Sequence, residues 1–216
     1  MDISRRTAVL GALSVPMAAA IAERAGAQTR LAPTGQETLG PFYPVRAPTN
    51  HDLDLTHYPG KTGRALGQVI ELTGRVLDTS GRPLPGSAMT IWQANAAGRY
   101  TNPVDSNPAP LDPNFLGVVS FKVGPDGSYR LRTVKPGHYP EPSGTIRTPH
   151  IHFDVVHDDY RLVSQMYFPG ESYNETDILL STLKARRRNP DAAICKRVEI
   201  SEPNVLGFTW DIVLLT

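Results

Sequence analysis

The sequence predicts an all-β domain: an antiparallel β-sandwich with long loops and one short helix. Three observations lead there. Eighteen glycines and 20 prolines among 216 residues stand well above the roughly 12 % of average usage, with no three-residue period. Short alternating or β-branched stretches recur at close spacing between turn signals. Only one stretch after the first 27 residues carries a helical pattern.

Taken in order, residues 68–77 alternate and end at the turn Asp78-Thr79-Ser80-Gly81-Arg82-Pro83, and 88–93 form the next strand. Residues 118–123 and 128–133 flank Gly124-Pro125-Asp126-Gly127, a hairpin signal. Strands at 150–156 and 162–168 follow, then a helical stretch at 175–188 stopped by Asn189-Pro190, then strands at 197–200 and 208–215. Two long loops, 95–114 and 135–148, interrupt the strands, and loops of that length inside a compact domain are usually functional.

Three regions are expected along the chain. Residues 1–27 read as a targeting segment: Arg5-Arg6, an apolar stretch, then Ala25-Gly26-Ala27 as a small-residue cleavage signal. The paired arginines resemble a twin-arginine export signal, which implies a periplasmic or secreted protein. The apolar stretch is shorter than the roughly 20 residues of a bilayer span, so no stable membrane anchor is expected. Residues 28–65 read as an extended arm, and 66–216 as the sandwich domain.

Composition excludes several function classes. Lys and Arg total 22 against 21 Asp and Glu, a net charge of +1, without the basic excess of a nucleic-acid binder. The single cysteine, Cys195, excludes an internal disulfide framework and any multi-cysteine metal cluster; it reads as a buried small hydrophobe rather than a nucleophile. His138, His157 and the Arg186-Arg187-Arg188 run read as loop, turn and solvated helix end. Trp92 and Phe121 read as core anchors.

The chemistry concentrates at His150-Ile151-His152-Phe153. Side chains alternate along a strand, so the two imidazoles share one face and can meet one metal ion; the bland alternative is a pair of polar residues on a solvated face. No HExxH helix or acidic loop completes a zinc or calcium site. The nearby candidates are Tyr100 and Tyr139, one in each long loop. A phenol of ordinary pKa near 10 ionises at neutral pH only beside a strong cation, so two tyrosinates and two neutral imidazoles would suit Fe(III).

These segments carry a resemblance. WQANAAGRY (92–100), PGHYP (136–140), RTPHIHF (147–153), QMYF (165–168), GPFY (40–43) and the turn around 74–83 stand in the order found in the intradiol ring-cleavage dioxygenases, and the chain resembles their protocatechuate 3,4-dioxygenase-like branch. The resemblance implies a catechol-type substrate and O2, ring opening between the hydroxyl-bearing carbons, and a muconate-type diacid as product. It implies a non-haem Fe(III) held by Tyr100, Tyr139, His150 and His152. It further implies Tyr139 as the ligand released on substrate binding, Arg147 as stabiliser of charge on the ring, and Gln165 and Tyr43 as pocket residues. Family members with active sites near subunit contacts imply a homo-oligomer. Glu141 departs from the pattern, where protocatechuate enzymes carry a tryptophan, and the 139–147 stretch is shortened. Residues 72–133 alone also fit a non-catalytic transthyretin-like or carboxypeptidase-regulatory-like module, and the two histidines alone a zinc- or copper-binding protein.

Overall fold

A computed structural model of the chain describes residues 30–45, 52–186 and 189–216. The export segment expected at 1–27, and Arg187 and Arg188 of the basic run, lie outside the described residues. Two sheets face each other. One is built on β1 (Val69–Asp78), with β4 (Ser128–Val134) antiparallel on one edge. Its other edge holds β10 (Leu206–Thr209), itself paired with β9 (Lys196–Val198), and then β11 (Ile212–Leu214). The second sheet runs β3 (Val118–Lys122), β2 (Ala88–Gln93), β7 (His150–His157), β8 (Tyr160–Tyr167), antiparallel throughout.

The core forms where the alternating faces meet. Ile70, Leu72 and Val76 of β1 and Leu131 of β4 pack against Met89, Ile91, Ile151, Phe153 and Val155 of the second sheet. All of these are essentially inaccessible to water, each aliphatic or aromatic side chain contributing about 1.5–3 kcal/mol by burial. Phe153 meets Trp210 at 4.8 Å between ring centres. Cys195 joins this core, its thiol pushed up to about 12 by burial.

Four details differ from the sequence expectation. The pairs β1–β10 and β1–β11 are parallel. The expected strand at 208–215 is two strands, because the backbone breaks register at Trp210-Asp211, where Asp211 Oδ1 accepts from the Arg75 N–H at 2.9 Å. The helix, α1 (Ile178–Ala185), starts three residues late because Asp177 caps it, and a 3-10 turn, Pro190–Ala193, follows. The loop at 135–148 contains a hairpin of two minimal strands, β5 (Tyr139–Pro140) and β6 (Ile146–Arg147).

The N-terminal arm is pinned to the second sheet. Glu37 N–H donates to the Val163 carbonyl (2.8 Å), and Ser164 Oγ donates to the Gly35 carbonyl (2.8 Å). Thr34 exchanges bonds with Val213 through its N–H and its Oγ1. The arm thus covers the open edge of β8 and reaches across to β11 of the first sheet, and Leu55, further along it, is itself fully buried in the core.

Candidate metal centre

Register places the first donors. His150 and His152 point away from the core face occupied by Ile151 and Phe153, and His152 pairs with Trp92 on β2 and Gln165 on β8. Both imidazoles are 2 % exposed. His152 stacks on Trp92, centroids 4.7 Å apart at 11°, so Trp92 supports the site rather than the inter-sheet core. Phe121 is only partly buried against the core.

The two loops deliver the tyrosines to the same point. Tyr100 Oη lies 3.3 Å from His150 Nε2 and 3.1 Å from His152 Nε2. Tyr139 Oη lies 3.4 Å from His150 Nε2, and the two Nε2 atoms are 3.2 Å apart. The loops cross in backbone contact: Gly137 N–H donates to the Asn95 carbonyl (3.0 Å). A Cβ on Gly98 would lie 2.2 Å from the His138 carbonyl oxygen. Asp105 then accepts from the Tyr100 N–H at 2.7 Å, fixing the end of the first loop.

The electrostatics suit a cation. Burial, with the Arg147 charge nearby, holds His150 well below the usual imidazole range; burial, with His150 and Arg147, does the same to His152. Neutral His150 must donate its Nδ1–H to the Thr148 carbonyl, 2.6 Å away, which leaves the Nε2 lone pair facing the other donors. His152 Nδ1 is buried without a hydrogen-bond partner. Burial pushes Tyr139 up to about 12, and burial together with Tyr139 holds Tyr100 well above the usual phenol value. Two imidazole lone pairs and two phenol oxygens thus converge in a place where ionised phenol needs a cation beside it. Among the described residues, no group of three or more His, Cys, Asp and Glu side chains is arranged to hold a metal; the donors gathered at this point are two histidines and two tyrosines.

Arg147 stands opposite Tyr139 across the β5–β6 hairpin. Its Nε donates to Asp177 Oδ2 (2.8 Å) and its Nη2 to Gln165 Oε1 (2.6 Å), while Nη1 faces Glu141 Oε1 at 3.8 Å. Gln165 Nε2 is buried and has no partner. Tyr43 is not brought to the cluster: its hydroxyl donates to Asp154 Oδ2 (3.0 Å) and its ring stands edge-on to Trp92 at 5.0 Å. Its neighbour Phe42 reaches the tyrosines instead, stacking on Tyr100 at 4.4 Å. Tyr43→Phe is therefore expected to cost about 1–2 kcal/mol of stability and leave the four-donor cluster in place, checked by thermal melting alongside metal content. Sequence reasoning also missed Asp177, which falls inside the stretch read as helix, and Glu37. The Glu37 carboxylate accepts from Tyr167 Oη (2.7 Å) and the Gln165 N–H (3.2 Å), and burial pushes it up to about 7. His138 is exposed, with its ring against Tyr173.

Residues 38–216 match the family model Dioxygenase_C, described as Dioxygenase. The chain is 41 % identical to the protocatechuate 3,4-dioxygenase beta chain of Burkholderia cepacia over 184 residues, 83 % of this chain and 74 % of that one. The chain belongs to the intradiol ring-cleavage dioxygenase family. Within it the protocatechuate-like branch is the one the chain resembles. The family's all-β architecture is matched by solved structures. The dioxygenase domain of a dioxygenase–carbohydrate-binding fusion from Streptomyces sp. SirexAA-E aligns with TM-score 0.64 and 28 % identity, over 85 % of this chain and 99 % of that one. An intradiol ring-cleavage dioxygenase from Tetranychus urticae shares the fold at TM-score 0.68 and 18 % identity, over 86 % and 95 % of the two chains. Family membership makes this chain an enzyme and sets aside the non-catalytic sandwich module.

Proposed function

We propose that this intradiol dioxygenase opens a catechol-type ring between its two hydroxyl-bearing carbons with O2, giving a muconate-type diacid. In this reading Tyr100, Tyr139, His150 and His152 hold a non-haem Fe(III). The observation that carries it is the convergence of four donor atoms, two phenol oxygens and two imidazole nitrogens, with neighbours 3.1–3.4 Å apart. Bound there, Fe(III) would supply charge stabilisation for the two diol oxygens and draw electron density from the ring.

The chain's own residues do the rest. Tyr139 takes a proton from the diol at its phenol oxygen, a protonation state that its burial favours. Arg147, 3 % exposed, keeps its proton in practice and offers a fixed positive field to the electron-rich ring. Gln165 has a free amide N–H2 to orient a substrate oxygen. The arm, Phe42 and the two loops exclude water from the site. Oxygen uptake with a panel of catechol, hydroxyquinol, protocatechuate and chlorinated catechols, with the product identified as a ring-opened diacid, tests the reading; no uptake with any of them would remove it.

Glu141 bears on the substrate. Its side chain is 32 % exposed at the turn of the β5–β6 hairpin, with its carboxylate toward Arg147. An anionic ring substituent approaching this wall meets a like charge, so uncharged catechols are the expected substrates, in contrast to the acid in the Burkholderia relative's name. Glu141→Gln is expected to raise kcat/KM for protocatechuate about tenfold and that for catechol less than threefold, a gain equivalent to ~1.4 kcal/mol of screened repulsion. A wild-type preference for protocatechuate by a wide margin would contradict this. We further infer export by the twin-arginine-like segment and assembly as a homo-oligomer, tested by fractionation of cells and by light scattering. No helix among the described residues is long and apolar enough to cross a membrane.

A further inference from the structure

Asp177 has no exposed surface, and its two carboxylate oxygens are divided between two elements. Oδ1 accepts from the N–H groups of Leu179 and Leu180, both at 3.0 Å, and caps α1. Oδ2 accepts from Arg147 Nε at 2.8 Å and from the Thr148 N–H at 3.0 Å. The carbonyl of the same Thr148 orients His150. A cap requires one oxygen, whereas the second is spent on the arginine. Of the other groups around the guanidinium, Gln165 is neutral, the Glu37 carboxyl is engaged by Tyr167 and the Gln165 N–H, and Glu141 lies beyond hydrogen-bonding distance on a half-exposed turn. Without the charge of Asp177, Glu141 becomes the nearest carboxylate, and the guanidinium is drawn toward the hairpin turn.

We propose that Asp177 is a positioning residue for Arg147: its buried carboxylate sets where the guanidinium charge lies beside the four-donor cluster and ties that placement to the start of α1. This rests on the reading of Arg147 as the group that stabilises charge on the ring. A buried charge pair held by hydrogen bonds is costly to break from one side, and misplacing a group by about 1 Å at a reacting centre costs roughly 100-fold in rate.

In Asp177→Asn the amide oxygen can serve the cap or Arg147 but not both. With the oxygen on the cap, its N–H2 faces two N–H donors. Asp177→Ser keeps a capping oxygen and removes the anchor. Both variants, purified as the iron-containing protein, are expected to keep wild-type iron per chain and visible colour. They are expected to hold KM for catechol within about threefold and to lose roughly 100-fold in kcat. Arg147→Lys should fall similarly, and the double variant Asp177→Asn/Arg147→Lys should fall no more than about threefold below the worse single one, because both changes remove one interaction. Additive losses in the double variant would overturn the proposal, as would loss of iron in the Asp177 variants or failure of both to fold, since each makes Asp177 a structural residue. Wild-type protein that holds iron yet cleaves no diol would instead strike the functional reading beneath it.

Discussion

Replacing His152 by alanine is expected to strip the metal from the protein and to lower diol-dependent oxygen uptake by more than about 100-fold. Outer partners of metal ligands already cost 10–100-fold when removed, and His152 is itself one of the four donors. Its Nε2 is 3.1 Å from Tyr100 Oη and 3.2 Å from His150 Nε2. Among the described residues no other His, Cys, Asp or Glu cluster could take its place. Tyr139→Phe is the informative companion: three donors remain and the ring still fills its place, so activity is lost while iron is retained. Elemental analysis beside oxygen uptake checks both, and a His152→Ala protein with full iron and full turnover would remove the site assignment.

The second large effect is expected at Gly98, which touches no substrate. Its φ is +81°, a conformation other residues adopt at a cost of about 1–2 kcal/mol, and a methyl there would press 2.2 Å from the backbone oxygen of His138. Tyr100 follows two residues later and Tyr139 follows His138 directly, so the strain falls on the spacing between the two phenol oxygens. Gly98→Ala should cost about 3 kcal/mol, lower the melting temperature by roughly 6–12 °C, and reduce iron per chain. Gly144→Ala is the control: φ is +85° and nothing lies within 4 Å of the added methyl, so only the conformational cost applies and iron is kept. Equal melting temperatures and equal iron in the two variants would contradict this account of the loop crossing.

Much of the sandwich was legible because its longer strands alternate: the shared face of His150 and His152 follows from period two alone. What escaped has physical reasons. Strands of two residues, as in β5 and β6, are too short to show a period, and their pairing of Tyr139 with Arg147 came from the fold. The break at Trp210-Asp211 lies inside one continuous β-like stretch, and only the packing of β1 against both halves reveals it. The tyrosines sit in stretches without periodicity, so the sequence offered them only as candidates in the two long loops and their ligand role came from family resemblance; the structure places both hydroxyls at the histidine pair. Tyr43 shows the opposite case, where a neighbour in the same motif, Phe42, makes the contact. Asp177 fell inside the stretch read as helix from 175, so neither its cap nor its bond to an arginine 30 residues earlier was visible in the sequence; that bond joins a helix start to a hairpin.

We propose that two phenolate oxygens and two imidazole nitrogens grip one ferric ion. Iron content and the visible spectrum of the purified protein test it together. One iron per chain is expected, with a reddish tyrosinate-to-iron absorption that shifts when catechol is added without oxygen. A colourless protein, or one carrying zinc or copper in place of iron, would contradict it.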